Sequence, residues 1–267
     1  MEFIKAHAYG NDFLLLGSVD ADRSPDLPEL VRRVCHRHHG IGADGVMVVE
    51  ETAEGARTRL LNADGSRSEI SGNGIRCVAS WLAHTRGLDQ FGHVVLETEA
   101  GPKRVDILSV DGLTITCRAA MGPPEELREV ELDVAGEKVT AVVLRVGNPQ
   151  CVVLGPASHL TTARLHSIGA ALAVHPYFPE GTNVELATVE QPDRIRILIW
   201  ERGVGPTQAS GTGACAAAVA SAAFGGAARS SQVIAPGGTQ QVEWRDDGIE
   251  LTGWATIVGR AEWWATR

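Results

Sequence analysis

Two stretches of this chain place a serine, two glycines and a strand-ending polar residue at the same spacing. Arg57-Thr-Arg-Leu-Leu-Asn62 leads, after a turn, into Ser71-Gly72-Asn73-Gly74-Ile75-Arg76-Cys77. Arg194-Ile-Arg-Ile-Leu-Ile-Trp200-Glu201 leads into Ser210-Gly211-Thr212-Gly213-Ala214-Cys215. Asn62 and Glu201 each stand nine positions before their serine. Ser-Gly-x-Gly at the mouth of an apolar helix leaves backbone N–H groups without helical acceptors. Those donors and the helix dipole favour an anion, and glycine lets the backbone approach it closely. Neither loop is a P-loop, because no Lys-Ser/Thr follows, and there is no dinucleotide fingerprint. One such loop alone reads as a tight strand-to-helix turn. Two at equal offsets point to two similar halves whose helix ends face each other and cradle a small anion.

Asparagines next to glycine or proline add polar groups. Asn11 lies in Gly10-Asn11-Asp12, Asn148 in Gly147-Asn148-Pro149 and Asn183 in Gly181-Thr182-Asn183. Each alone is turn chemistry. With Asn62 and Asn73 they form a set of donors and acceptors for a polar ligand. Arg202, beside Glu201, is suited to a carboxylate. Cys35-His36-Arg37-His38-His39 has the composition of a metal tract. Its residues are consecutive, so on a helix they diverge, and metal binding is not the expectation. Asp44 and Asp64 lie beside glycines and read as turn-shaping residues.

The elements that must carry these groups are mostly strands. Residues 13–16, 46–50, 94–97, 114–118, 138–146, 183–187, 194–200 and 241–244 are short, rich in β-formers and bounded by turn residues. The pattern predicts four helices: Pro28 to His38, Gly74 to Thr85, Thr161 to Leu172 with Thr161 as cap, and Gly213 to Phe224. This is an α+β pattern with mostly antiparallel strands. Met121 to Glu126, with Gly122-Pro123-Pro124, reads as a linker between the two copies. The N-terminal half is then 1–119, joined by a C-terminal strand at 255–267, and the C-terminal half is 120–254.

Bulk properties narrow the function. The chain has 267 residues, 44% of them hydrophobic, and a net charge of −9. That charge argues against nucleic acid as a partner. No run approaches the ~20 apolar residues of a membrane span. Met-Glu-Phe-Ile-Lys at the start carries no signal-peptide pattern, so a cytoplasmic location is the expectation. The five cysteines include no CxxC pair and read as reduced thiols.

Several motifs in one order resemble the diaminopimelate epimerase family over nearly the whole length. Phe3-Ile-Lys-Ala-His-Ala-Tyr-Gly-Asn-Asp-Phe13 is similar to the family's opening, and Gly40-Ile-Gly-Ala-Asp-Gly45 to its next motif. Asn62-Ala-Asp-Gly-Ser66 leads into Ser71-Gly-Asn-Gly, where the family has Cys-Gly-Asn-Gly. Glu201-Arg-Gly-Val-Gly205 leads into Ser210-Gly-Thr-Gly, where the family has Cys-Gly-Thr/Ser-Gly. The resemblance implies two pseudo-symmetric halves, each a mixed, mostly antiparallel sheet wrapped around a central helix. It implies cofactor-independent conversion of LL- to meso-diaminopimelate, in lysine and peptidoglycan precursor synthesis. One cysteine removes the α-proton as thiolate, and the other returns a proton from the opposite face, without metal, nicotinamide or pyridoxal phosphate. Carried over residue by residue, the substrate-binding set is Asn11, Asn62, Asn148, Asn183 and Arg202. The amides of Gly72, Asn73, Gly211 and Thr212 hold the reacting carboxylate. Ser71, Ser210 and Glu201 occupy the catalytic positions. A homodimer is expected by the same resemblance, with a small amino acid as the partner and no nucleic acid or membrane.

The departures fall on the chemistry. Both acid/base cysteines are serines, Ser71 and Ser210. Gln150 stands where the family usually has histidine, and Pro206 where glutamate is usual. Cys77 and Cys215 lie inside the following helices and are expected to face the core. A thiol has a pKa near about 8.5, which a helix N-terminus can lower. A hydroxyl is far less acidic and needs a general base, which Gln150 cannot supply. Three readings stay open. The chain is an epimerase carrying two Cys→Ser changes; or an isomerase or racemase of altered, one-base chemistry on another amino acid, with Ser71 and Glu201 as the working pair; or an inactive amino-acid-binding paralogue.

Overall fold

Runs such as Phe13-Leu-Leu-Leu16 and Val46-Met-Val-Val49 fold as strands buried on both faces, and the glycines beside them turn the chain. The computed structural model describes residues 1–89 and 91–264. It divides into two units, residues 1–119 with 253–267, and residues 120–252. Among the described residues no helix is long and apolar enough to cross a membrane.

The first unit contains β1 (Glu2–Ala8), β2 (Asn11–Gly17), α1 (Ser18–Asp22), α2 (Leu27–Cys35), β3 (Gly45–Glu51), β4 (Gly55–Asn62) and β5 (Arg67–Ser68). It continues with α3 (Gly72–Arg86), β6 (His93–Thr98), β7 (Gly101–Asp111) and β8 (Thr114–Gly122). β1 and β2 are antiparallel, β2 and β3 parallel, β3 and β4 antiparallel, and β4 and β6 parallel. The hairpins β6–β7 and β7–β8 complete the run. α3 touches β1, β2, β3, β4, β6 and β7. On another side of the sheet, Leu30, Val31 and Val34 of α2 pack on Leu14, Leu16, Val46, Val48 and Leu61.

The second unit contains β9 (Glu125–Val134), β10 (Glu137–Val146), β11 (Asn148–Leu154), α4 (Thr162–Arg164), α5 (Ala170–Ala173), β12 (Asn183–Gln191), β13 (Arg194–Glu201) and β14 (Gly205–Thr207). Then come α6 (Gly211–Phe224), β15 (Ser230–Ala235), β16 (Gly238–Arg245) and β17 (Gly248–Glu262), whose later part belongs to the first unit. From β10 onward the pairings repeat the succession of the first unit: antiparallel, parallel, antiparallel, parallel, antiparallel, antiparallel. α6 touches β10, β11, β12, β13, β15 and β16. Residues 211–221 of α6 are all buried, as an Ala-rich helix apolar on every side must be. The other face of this sheet carries Val143, Cys151, Val184 and Leu186, packed on Leu165, Ile168 and Leu172. The α+β class with few helices is thus what the strand and helix signals predict.

The boundaries differ in instructive ways. The helix expected over Pro28 to His38 ends at Cys35. The carbonyls of Val34 and Cys35 accept from Ile41, Gly42 and Ala43, so the chain turns back before a further helical turn forms. The helix expected over Thr161 to Leu172 is capped by Thr161, whose side chain accepts from Arg164 N, but it winds as a π-helix over Leu165–Gly169. Of the expected linker, only Pro123 and Pro124 lie outside strands. The return strand starts at Gly248 rather than 255, and residues 265–267 of that expectation lie outside the described residues.

Candidate functional site

In the first unit, Ser71 is the N-cap of α3. It has extended backbone, and its Oγ accepts from Gly74 N at 3.0 Å. Gly74 is closely packed: a Cβ there would lie 2.9 Å from Met47 Sδ and 3.2 Å from Ser71 Cβ. Helix geometry points the N–H groups of Gly72 and Asn73 out of the helix end. Asn73 is buried, and its Nδ2 donates to Asn11 Oδ1 at 2.9 Å. Arg76, with no exposed surface, donates to Asn73 Oδ1 and lies over the Tyr9 ring at 5.5 Å. Asn62 ends β4 and donates through Nδ2 to Ser66 Oγ at 3.1 Å.

Asn11 is held from behind by an ionic cluster. Its Nδ2 donates to Asp44 Oδ2 at 2.8 Å. Arg37 bridges Asp12 and Asp44 at 2.8 and 2.6 Å, and Lys5 meets Asp12 at 2.7 Å. Burial alone would raise the Asp12 carboxyl, but hydrogen bonds from Arg37 and Lys5 overcome it and hold Asp12 below the usual range. Asp44 is raised, by burial first and by the charge of Asp12 second. The turn-shaping role expected of Asp44 is therefore corrected: it anchors Asn11 and pairs with Arg37. Asp64 does shape a turn, accepting from Ser66 N at 2.9 Å. The His tract is itself a turn, with His36 Nδ1 accepting from His38 N and His39 N.

In the second unit, Ser210 caps α6 in the same way, accepting from Gly213 N at 3.1 Å, with Thr212 Oγ1 at 3.5 Å. Gln240 on β16, buried, donates to Ser210 O at 3.2 Å and fixes the loop. Helix geometry points the N–H groups of Gly211 and Thr212 outward. Asn183 accepts from Arg202 N at 2.9 Å and donates to Pro149 O at 3.3 Å. Arg202 also donates to Glu180 O at 3.1 Å. Asn148 accepts from Gln150 Nε2 at 2.6 Å. Gln150 is buried, and its Oε1 has no hydrogen-bond partner among the described residues.

A residue that the sequence reading passed over lies beside this cap. Glu185 on β12 has no exposed surface, and neither carboxyl oxygen has a hydrogen-bond partner among the described residues. A Cβ on Gly213 would lie 2.3 Å from its Oε1 and 3.0 Å from Ser210 Cβ. Burial, then the nearby charge of Glu201, pushes its carboxyl well above the usual range. Within the strand, Val184-Glu185-Leu186 reads as a polar residue facing out. The signal that would have found it is the glycine three residues after the cap, which must leave room for something.

None of the five cysteines is in a disulfide, and all are buried. Burial pushes the Cys77 and Cys151 thiols up, and Cys35 and Cys117 up to about 12. Such thiols stay protonated and inert.

Each unit thus presents a strand-ending polar residue and a serine-capped buried helix, and in the first unit Asn73 and Asn11 are joined at the helix mouth. The sequence pattern of diaminopimelate epimerases matches residues 3–127 and 142–261. The chain is 42% identical to the diaminopimelate epimerase of Desulforudis audaxviator, across 98% of this chain and 99% of the relative. It is 38% identical to that of Moorella thermoacetica, with coverage of 98% and 99%. The chain belongs to the diaminopimelate epimerase family. Its fold is shared with a hydroxyproline epimerase from Agrobacterium vitis, solved with trans-4-hydroxy-L-proline (TM-score 0.73, 18% identity, 98% of this chain and 90% of that one). It is also shared with a phenazine biosynthesis protein from Bacillus anthracis (TM-score 0.69, 15% identity, 99% of each).

Proposed function

We propose that this chain is a cofactor-independent amino-acid epimerase acting on a diaminopimelate-like substrate, with hydroxyls at the two acid/base positions. The observation that supports it most is the paired cap: Ser71 and Ser210 each sit at the N-terminus of a long buried helix, accepting from the amide three residues on. That N–H and the helix dipole stabilise negative charge on the oxygen. The outward amides of Gly72, Asn73, Gly211 and Thr212 suit the substrate carboxylate. Asn11, Asn62, Asn148, Asn183 and Arg202 bind the rest of the amino acid, and Glu201 serves as general base. One hydroxyl takes the α-proton while passing its own to the base, and the other delivers a proton to the opposite face. Without thiols the turnover is slow, since each about 1.4 kcal/mol of barrier costs tenfold. On this reading the chain works as a cytoplasmic homodimer in lysine synthesis.

The same caps favour a second reading. Each serine oxygen is already an acceptor within its helix, which fits a protein that binds the amino acid without turning it over. Incubation with LL- and meso-diaminopimelate in heavy water separates the two. Loss of the Cα–H signal with stereoinversion is the expected result. Ligand-dependent thermal stabilisation without exchange would establish the binder and overturn the epimerase.

A further inference from the structure

The two units use the same strand for the same packing task but not the same residue. Met47 on β3 lies beneath Gly74, and Glu185 on β12 lies beneath Gly213. The strand-ending residues differ in the same sense: Asn62 closes β4, and Glu201 closes β13. An apolar thioether satisfies the packing in one unit, so the carboxyl in the other is not there to fill space. Burying an unpartnered carboxyl is unfavourable, and an exception of this kind calls for a role.

Register places a second carboxyl beside it. Glu185 stands directly opposite Ile199 on β13, and Glu201 lies two residues beyond Ile199. Residues two apart on a strand share a face, so Glu185 and Glu201 are diagonal neighbours, with Cα atoms about 7–8 Å apart and long side chains able to meet. β11 places Val152 level with Glu185 and Gln150 level with Asn183. Of the titratable groups on the packing elements, Glu201 of β13 shares the face of Glu185, Arg196 of β13 and Cys151 of β11 lie on the opposite face, and Cys215 comes from α6. Both thiols are fully buried. The His166 ring meets Trp200 edge-to-face, on the far side of this sheet from Glu185. Glu201 is therefore the group able to exchange a proton with Glu185.

We propose that Glu185 is a positioning residue of the Ser210 half-site, forming with Glu201 a carboxyl pair that shares one proton. The inference rests on the reading of Glu201 as general base. Two like charges this close do not both ionise readily. Glu185 has no exposed surface and Glu201 is half-buried, so Glu185 holds the proton and Glu201 the charge. In the step this serves, Ser210 Oγ takes the α-proton and its own hydrogen passes to the Glu201 carboxylate. The C–H electron pair stays on the α-carbon. Glu185 keeps its proton throughout and holds Glu201 as the single anion of the pair.

The test is a titration of the full chain labelled with ¹³Cδ-glutamate, as wild type, Glu185→Gln, Glu185→Met and Glu201→Gln. In wild type, one carboxyl stays protonated at neutral pH. It is absent in both Glu185 variants, and in Glu201→Gln it ionises at lower pH. Ionisation of Glu185 in the ordinary range, or indifference to Glu201→Gln, would overturn the pairing. α-Proton exchange on diaminopimelate gives the second readout. Glu185→Met moves the acidic limb to higher pH and lowers kcat about tenfold or more at unchanged KM. Glu185→Gln, whose amide still donates, restores part of the loss. Identical limbs in all three proteins would overturn the positioning role. Absence of exchange in wild type would remove the epimerase reading, and the carboxyl titration would then still decide the pair.

Discussion

Asn73 Nδ2 donates to Asn11 Oδ1 at 2.9 Å, tying the first turn of α3 to the start of β2. Both residues are buried, and Asn11 is gripped in turn by Asp44. The relationship joins fold to site. The asparagine that presents an amide at the helix mouth also fixes a neighbour in the proposed binding set.

Asn73→Ala is expected to destabilise the protein by about 1–3 kcal/mol, because Asn11 Oδ1 and Arg76 both lose a buried partner. Urea unfolding measures it. A loss below about 0.5 kcal/mol would mean that water or rearrangement satisfies both groups. The variant should also lose the thermal stabilisation given by diaminopimelate.

The two helix glycines should respond differently to a methyl group. Gly74→Ala presses on the thioether sulfur of the flexible Met47 side chain, which can move. The intrinsic helix gain of alanine, about 1 kcal/mol, then offsets most of the strain. Gly213→Ala presses on a carboxyl enclosed in the core, 2.3 Å from the new atom. It should cost about 1–3 kcal/mol from overpacking. Equal unfolding midpoints for the two variants would refute the difference.

What the sequence disclosed and what it hid follow from the range of the forces involved. The strand–turn–helix pattern around Ser71 and Ser210 is local, carried by glycine spacing and apolar runs, and it appears in the structure as two capped helices. The end of α2 is not local. It depends on Ile41, Gly42 and Ala43 returning to the carbonyls of Val34 and Cys35. β9, with Glu-Glu-Leu-Arg-Glu-Val, lies outside the predicted strands, and its exposed side chains tolerate those charges. Glu185 was hidden because alternation along β12 suggests a solvent face, whereas α6 covers that face. The role of Asp44 was hidden because its partners, Asn11 and Arg37, come from other segments.

Two carboxyls should shape the pH dependence of stability with opposite signs. The folded-state pKa of Asp12 is lowered, so its contribution is present above the unfolded value and is lost as pH falls through the folded one. Glu185 is raised, so its contribution is full below the ordinary glutamate range and is lost as pH rises toward the folded value. Glu185→Gln should therefore flatten the fall in stability above the ordinary glutamate range and leave the acid side unchanged. Urea midpoints across pH decide it. An unchanged slope above that range would show that Glu185 ionises freely in the folded protein.

Restoring thiols tests the chemistry most directly. A thiol near pKa about 8.5, lowered further at a helix N-terminus, supplies a thiolate where a hydroxyl supplies almost no alkoxide. Ser71→Cys with Ser210→Cys is expected to raise α-proton exchange on diaminopimelate by at least about tenfold, and to restore inversion. The single variants are more telling. Each base works on one face of the α-carbon, so Ser71→Cys alone should speed exchange of one stereoisomer, and Ser210→Cys alone that of the other. The gain comes with a stability loss of up to about 1 kcal/mol per site, since a thiol is a poorer cap than the hydroxyl that now accepts from Gly74 or Gly213. NMR of each stereoisomer in heavy water, beside unfolding of the same variants, measures both. A cap penalty without any gain in exchange on any amino acid would leave the serines as structural caps and would count against epimerisation as the ancestral chemistry of this site.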